Sequence, residues 1–154
     1  MEPKSGQPPG IPKPAPSPTE HSQFFWDAAR EHKLMIQRCD DCQRYIHWPQ
    51  LLCPFCQSER LSPAEMSGKG SVYSFCIVNH VFHPAFAVPY SLVLVELDEQ
   101  PGLRMLTNIV DCPNDAIRIG MAVEVTFEDG DGYTLPQFRP AAAEVQGCKA
   151  AAVT

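Results

Sequence analysis

The sequence predicts a mainly β protein with an N-terminal helix, a small metal-clamped ribbon and a C-terminal barrel of five strands. Two observations lead to this prediction. Four cysteines form two C-x-x-C pairs ten residues apart, Cys39 with Cys42 and Cys53 with Cys56. From Ser71 onward, short runs of strand character alternate with turn residues. Five such strands with one helical turn fit a closed barrel of the OB type, which removes exposed sheet edges.

The N-terminal helix is predicted over residues 22–33. Thr19 or Ser22 offers a hydroxyl that can cap its first turn, and apolar residues recur at helical spacing. The helix also carries three consecutive aromatic side chains, Phe24, Phe25 and Trp26. They are too apolar for a solvated helix of about three turns, so part of this surface must pack on this chain or another one.

The ribbon is predicted between Gln37 and Leu61. One strand over 34–38 enters the first cysteine loop, and a strand over 45–48 returns until Pro49, which has no backbone donor. Two loops that turn their thiolates inward make a tetrahedral cage of four sulfurs, the geometry that zinc prefers. All four ligands belong to the protein, so one Zn²⁺ per chain is expected to stabilise the fold without doing chemistry.

Iron is the alternative metal, because a rubredoxin uses the same cage of four thiolates for electron transfer. An electron carrier has no need of a second domain, which favours zinc. So short a ribbon buries too little surface to fold alone. Metal binding, at roughly 10–16 kcal/mol for comparable sites, offsets that deficit.

The domain boundaries follow from the strand pattern. A disordered, proline-rich tail is predicted over 1–21, the helix and ribbon over 22–66, the barrel over 67–140 and a flexible tail over 141–154. A single helical turn is expected within 111–117, between the third and fourth barrel strands. The five strands are predicted over 72–78, 90–97, 103–110, 122–127 and 133–138.

Composition excludes several classes of protein. The chain has 154 residues, 44% of them hydrophobic, which suffices for one ordinary domain or two small ones. Its net charge of -6 argues against a nucleic-acid binder. No apolar run reaches the roughly 18 residues of a membrane span and no secretory pattern opens the chain, so a cytoplasmic protein is expected. Cys76, Cys112 and Cys148 are then expected to be free thiols, with a disulfide framework as the alternative.

Seven segments follow one another in an order that resembles a known family. They are FFWDAAREHKLMIQRCDDCQ, WPQLLCPFC, GKGSVYSF, HPAFAVPYSLVLVELDE, GLRMLTNIV, IRIGMAVEVTFED and LPQFRP. Their order over residues 22–140 resembles the zinc-ribbon plus OB-fold proteins called domain of unknown function 35. The resemblance implies a rubredoxin-like ribbon, an OB domain and a place in acyl-CoA metabolism. Members of that family act as non-catalytic partners of thiolase-like enzymes, of sterol side-chain aldolases or of hydratases.

One departure from the family pattern concerns the cysteine loops. Family members often carry glycine directly after the second cysteine of each loop, where the backbone turns left-handed. Here Gln43 and Gln57 hold those positions. A side chain at positive φ costs about 1 kcal/mol, which is small beside the metal term.

Other candidate sites are weaker. Cys76 with His80 or His83 suggests a nucleophile and a base, but a cysteine in an alternating strand is more often a core residue. The loop after His83 offers Phe86 for contact with a partner or ligand, or as a cap on the barrel. The run from Gly68 to Gly70 lacks the spacing of a phosphate loop and predicts a flexible joint, with Lys69 a candidate contact for a CoA phosphate.

Three functions remain in view. The favoured one is an accessory subunit of a thiolase-like thiolase or aldolase in the breakdown of steroid or other bulky acyl-CoA thioesters, with a hotdog-type enoyl-CoA hydratase as the alternative partner. The second is a stand-alone acyl-CoA-binding module. Nucleic-acid binding is the third and rests on fold analogy alone. The residues expected to contact a partner or ligand are Phe24, Phe25, Trp26, Trp48, His83, Phe86 and Lys69.

Overall fold

The computed structural model describes residues 11–151, except for the side chains of the last three. A short helix is followed by a three-stranded sheet, a five-stranded sheet and a second helix. The elements are α1 (Gln23–Arg30), β1 (Met35–Cys39), β2 (Tyr45–Ile46), β3 (Leu61–Glu65), β4 (Lys69–Val78), β5 (Tyr90–Leu97), β6 (Arg104–Thr107), β7 (Ala122–Asp129), β8 (Thr134–Pro140) and α2 (Val145–Ala151). A 3₁₀ turn over Asn114–Ala116 confirms the predicted helical turn.

Helix α1 buries one narrow face, formed by Phe25 and Ala29 one turn apart. It ends earlier than predicted because His32 adopts a left-handed conformation with φ of 57°. That conformation sends the His32 ring onto the barrel, where it stacks on Phe127 at 5.2 Å and its Nε2 lies 3.0 Å from the Asp129 carboxylate. The end of the helix is therefore tied to the β7–β8 hairpin.

The first sheet has the strand order β2-β1-β3, and both pairings are antiparallel. Strand β3 was not predicted, because its sequence does not alternate and contains Pro63. Proline is tolerated there because β3 is an edge strand, where a missing backbone donor breaks no further ladder. This third strand joins the ribbon to the barrel that follows.

The second sheet has the order β6-β5-β4-β7-β8, with antiparallel neighbours throughout. A bulge between Val72 and Ser74 interrupts the register of β4, as is common in strongly curved sheets. The chain after β6 then meets β8 in parallel. The Val110 N–H donates to the Phe138 carbonyl at 2.8 Å, and the Phe138 N–H donates to the Asn108 carbonyl at 3.1 Å. This contact curls the five strands into the predicted OB-type fold.

One hydrophobic core unites the helix, the ribbon and the barrel. Phe25, Leu34, Ile36 and Met66 belong to the same buried cluster as the inward residues of the barrel strands. The flexible joint predicted at Gly68 is instead hydrogen-bonded, because its carbonyl accepts from the Val125 N–H at 2.7 Å. Gly68 has φ of +75°, and a Cβ there would collide with Val125.

The described residues next to the two ends of the chain, 11–21 and 141–151, differ from the predicted loose tails, whereas residues 152–154 lie outside the described part. Within residues 11–21, Lys13 forms an ion pair with Glu128 of β7 at 2.7 Å, whereas residues 1–10 lie outside the described part. Residues 145–151 are helical, and a disulfide joins Cys112 to Cys148. The expectation that both are free thiols is therefore wrong. The two cysteines lie 36 residues apart in sequence, and only the folded chain brings them together.

Within residues 11–151, no helix has the length and apolarity required of a transmembrane span.

Candidate metal centre and the aromatic pocket beside it

The two cysteine loops face each other and bring four sulfur atoms together. The Sγ atoms of the four residues lie within 4.8 Å of one another, with Cys39 to Cys56 at 3.6 Å and Cys42 to Cys53 at 3.5 Å. A zinc ion with Zn–S bonds of about 2.3 Å requires sulfur separations of about 3.8 Å in a tetrahedron. The four thiol groups therefore fit a zinc ion, which would hold the loops together without leaving a coordination position for a substrate.

The two loops have matching backbone geometry. The Gln43 N–H donates to the Cys39 carbonyl and the Gln57 N–H to the Cys53 carbonyl, each at 2.9 Å. Gln43 and Gln57 have φ of 62° and 63°. The sequence expectation of left-handed glutamines is thus confirmed at both positions.

The thiols differ in acidity because backbone amides and neighbouring sulfurs surround them unequally. The Cys42 amide stabilises the Cys39 thiolate and lowers its pKa to about 7. The Ser58 amide acts in the same direction on Cys56, but burial and hydrogen bonds to the other cysteines outweigh it and raise the pKa to about 12. Four negative charges this close are unfavourable without a cation, and a bound divalent ion supplies the neutralising charge.

The left-handed glutamines lead to a stability prediction. Replacing the exposed Gln57 by glycine removes the steric cost of a Cβ at positive φ, so the free energy of unfolding is expected to rise by about 1 kcal/mol. Urea unfolding of the metal-loaded protein measures this change. Gln57→Ala keeps the Cβ and serves as the matched control, which is expected to gain nothing. Equal stability of the glycine and alanine variants would contradict the steric explanation.

A polar cluster outside the cage also joins the two loops. The Asp41 carboxylate pairs with the Arg60 guanidinium and accepts a hydrogen bond from the Ser58 hydroxyl. Asp41 lies in the first loop directly before Cys42, whereas Ser58 and Arg60 follow the second loop. The sequence does not predict this cluster, because charged residues on a short loop follow no pattern that identifies their partners.

Two glutamine side chains fix the ribbon where strand pairing stops. The buried Gln37 exchanges hydrogen bonds with the Gln50 backbone, accepting from its N–H at 2.8 Å and donating to its carbonyl at 3.0 Å. Gln100, in the turn between β5 and β6, does the same with Tyr45 at 2.9 and 3.1 Å. Amide side chains thus replace a strand partner and hold the ribbon against the barrel.

The predicted contact aromatics divide between the interior and the surface. Phe25 is only 2% exposed and fills the core between helix, ribbon and barrel, so little of its ring is left for contact with a partner. Phe24 and Trp26 are half-buried against that core. Trp48 is 49% exposed, and its ring meets Phe25 edge-on at 5.1 Å.

The rings of Phe25, Trp26 and Trp48 border a cavity of about 180 Å³ between α1, the ribbon and the barrel. We call it the aromatic pocket and define it by Phe25, Trp26, His47, Trp48 and Leu106. His47 was not singled out from the sequence. Its Nδ1 is buried and has no hydrogen-bond partner among the described residues. Burial lowers the pKa of His47 to about 4, so the ring is neutral near pH 7.

The buried His47 predicts a pH dependence of stability. An unfolded histidine titrates near pH 6.5, whereas the folded ring takes up its proton only near pH 4. Between these values the unfolded chain binds more protons, so stability is expected to fall by about 3 kcal/mol as the pH drops from 6.5 to 4. Urea unfolding at several pH values, compared with His47→Phe, isolates this contribution. Parallel pH profiles of the two proteins would refute it.

The remaining candidates do not form a catalytic arrangement with one another. Cys76 is exposed on β4 and not in the core, contrary to expectation, and within residues 11–151 no hydrogen bond joins it to His80 or His83. The His83 Nδ1 accepts from the Ala85 N–H at 3.1 Å, which shapes the loop. Phe86 is 36% exposed beside His83, and the exposed Lys69 lies on the first residue of β4.

Comparison with known proteins agrees with both halves of the architecture. Residues 26–62 match the family model for the ChsH2 rubredoxin-like zinc ribbon domain, and residues 64–128 match that for the ChsH2 C-terminal OB-fold domain. A solved structure described as "Ltp2-ChsH2(DUF35) aldolase" is 41% identical with a TM-score of 0.76. The match covers 82% of this chain and 99% of that one.

Three curated relatives include two longer enzyme subunits and one scaffold protein. This chain is 42% identical to a probable enoyl-CoA hydratase alpha subunit of Thermomonospora curvata, and 32% identical to the 3-oxo-4,17-pregnadiene-20-carboxyl-CoA hydratase alpha subunit of Mycobacterium tuberculosis. These matches cover 84% and 81% of this chain but only 40% and 39% of those subunits. A DUF35 domain-containing scaffold protein of Methanocaldococcus jannaschii is 35% identical, over 69% of this chain and 79% of its own length.

Proposed function

Because this chain belongs to the DUF35 family of zinc-ribbon and OB-fold proteins, we propose that it is a non-catalytic, zinc-containing accessory subunit of an acyl-CoA-processing enzyme. The enzyme is a thiolase-like aldolase or an enoyl-CoA hydratase, and its substrates are thioesters of steroids or other bulky acids. The catalytic residues belong to the partner.

One observation carries the proposal. A protein similar to this chain is described as a scaffold protein, and a similar chain occurs in a solved structure described as an Ltp2-ChsH2 aldolase. In two hydratase alpha subunits, the part similar to this chain makes up about two fifths of the subunit. When similar domains are found with enzymes that catalyse different reactions, we expect them to contribute a function that all of these enzymes need. Positioning of a partner's active site and exclusion of water from it are such shared contributions.

The structure of the chain suits this role. The four thiol groups fit a closed metal cage, which favours rigidity over chemistry. The shared core and the Gln100–Tyr45 hydrogen bonds make ribbon and barrel one body. A rigid body of this kind can hold a partner's loops in one geometry.

Co-expression with the neighbouring thiolase-like or hydratase gene tests the proposal. The expected result is a stable complex whose partner loses activity when this chain is omitted and regains it when the chain is added back. A partner that is stable and fully active alone would refute the proposal. Calorimetry of the isolated chain with acyl-CoA thioesters provides the second arm, since measurable affinity would favour a stand-alone binding module instead.

A further inference from the structure

A disulfide fastens the C-terminal helix to the barrel. It joins Cys148 of α2 to Cys112, which lies two residues before the 3₁₀ turn Asn114–Ala116, and α2 packs against that turn. The other five cysteines of the chain are free thiols. Within residues 11–151, this disulfide is therefore the one covalent link between residues distant in sequence.

Helix α2 has little else to hold it in place. It has seven residues, and isolated helices shorter than about 12–15 residues are marginal in water. Gly147 lowers its intrinsic helix propensity further. Among residues 145–148 of the helix, Cys148 is buried, Val145 is half-buried, and Gln146 and Gly147 are exposed. The docking of α2 therefore depends mainly on the bond through Cys148.

The chain just before α2 is held independently of the disulfide. The Ala141 N–H donates to the Ala122 carbonyl at 2.9 Å, and the Glu144 carboxylate pairs with the Arg118 guanidinium. These contacts attach residues 141–144 to the start of β7 and to the segment before it. Loss of the disulfide is therefore expected to free the helix from residue 145 onward and to leave the barrel strands in place.

Two features of the chain favour a bond that exchanges over a permanent one. Cys76 is an exposed free thiol, which is typical of proteins in reducing compartments, where a disulfide is usually transient or redox-sensing. The bond also ties down only a terminal helix. Apart from Cys148, the residues of the large core cluster lie on α1, the ribbon and the barrel, so this core does not require the bond.

The two sulfurs of the disulfide differ in access. Cys112 is half-buried, whereas Cys148 is 3% exposed. Exchange begins when a thiolate attacks one sulfur of a disulfide, so an external thiolate is expected to reach the Cys112 Sγ first. That attack forms a mixed disulfide on Cys112 and breaks the bond to Cys148, whose sulfur leaves as a thiolate and takes a proton from water.

We propose that the Cys112–Cys148 disulfide is a site of reversible thiol–disulfide exchange with a dithiol reductant, and that its reduction releases α2 from the barrel. The second thiol of the reductant attacks the mixed disulfide and frees Cys112. The reductant thereby becomes a disulfide, and two electrons and two protons pass from it to the two cysteines in total. This inference goes beyond the proposed function and does not depend on it.

Hydrogen exchange of the full-length, zinc-loaded chain tests the release. Dithiothreitol is added without denaturant, and zinc is kept in slight excess so that the ribbon stays loaded. The expected result is full reduction of the disulfide and at least about tenfold faster exchange of the backbone amides of residues 147–151, with unchanged rates in β1 and β5. A disulfide that is reduced only in urea, or α2 amides that keep their rates after reduction, would overturn the proposal.

Two variants show whether the docking of α2 depends on the bond. Cys112→Ser cannot form the disulfide and is expected to show fast exchange in α2 with or without dithiothreitol. Cys76→Ser is the matched control, because it removes an exposed thiol and retains the disulfide, and it is expected to respond as the parent does. Slow exchange of the α2 amides in Cys112→Ser would overturn the dependence of docking on the disulfide.

Trapping of the mixed disulfide identifies the sulfur that is attacked. The parent chain is treated briefly with reduced glutathione, quenched with acid and mapped by peptide mass spectrometry. Glutathione is expected on Cys112 at least about fivefold more often than on Cys148, because only Cys112 is half-buried. Equal labelling of the two cysteines, or more labelling of Cys148, would overturn the assignment of Cys112 as the attacked sulfur.

Discussion

Replacing the fully buried Cys53 by serine is expected to abolish stoichiometric metal binding and to unfold the tip of the ribbon. Within residues 11–151, the buried cluster at that tip is formed by Cys39, Ile46 and Cys53, with Cys42 and Leu61 packed against it, so little apolar burial supports the tip apart from the metal. Metal binding at comparable sites contributes roughly 10–16 kcal/mol, and its loss is expected to exceed what the tip can sustain. The barrel is expected to stay folded because its core lies elsewhere.

Metal analysis together with thermal unfolding checks this expectation. The parent is expected to be colourless with one zinc per chain, whereas iron bound to four thiolates would colour the sample and revive the rubredoxin alternative. Cys76→Ser removes an exposed thiol outside the cage and should leave metal content and melting unchanged. A Cys53→Ser protein that loses its ion but melts and assembles as the parent does would contradict the structural role of the metal.

The second large effect is expected for Phe25→Ala. Phe25 is 2% exposed and packs edge-on against Trp26 and Trp48, with ring centroids 5.0 and 5.1 Å apart. Truncating a buried phenylalanine typically costs about 3–5 kcal/mol, because the transfer free energy is lost and a cavity remains. The loss is expected to affect the whole chain, since Phe25 belongs to the core shared by helix, ribbon and barrel.

Urea unfolding measures the cost. Phe82→Ala removes the same atoms from a side chain that is 77% exposed, and its stability is expected to change by no more than about 0.5 kcal/mol. If Phe25→Ala destabilised the chain as little as Phe82→Ala, the single shared core would be refuted and ribbon and barrel would be independent units.

Local patterns in the sequence were sufficient for most of the architecture. The spacing of the four cysteines predicted the cage, because ligand geometry over a C-x-x-C loop depends on adjacent residues only. The run YSLVLVEL predicted the rich strand Tyr90–Leu97 with its observed bounds, and its inward residues are the apolar Val93, Val95 and Leu97 together with the buried Ser91. The family resemblance, and no local pattern, implied the left-handed backbone found at Gln43 and Gln57.

Features that depend on residues distant in sequence required the folded chain. The Cys112–Cys148 disulfide, the Asp41–Arg60 pair and the edge strand with Pro63 involve partners that no short-range pattern identifies. For the aromatic residues of α1, the sequence predicted that part of the ring surface is buried. It did not identify which of the rings is buried.

What the sequence alone determined is therefore the metal cage, the order of the strands along the chain and the family resemblance. Only the tertiary structure decided that Phe25 lies in the core while Trp48 stays half exposed, and that the buried Nδ1 of His47 has no hydrogen-bond partner within residues 11–151. The physical reason is that burial of a particular side chain depends on the surface it meets, and α1, the ribbon and the barrel create that surface only when they pack together.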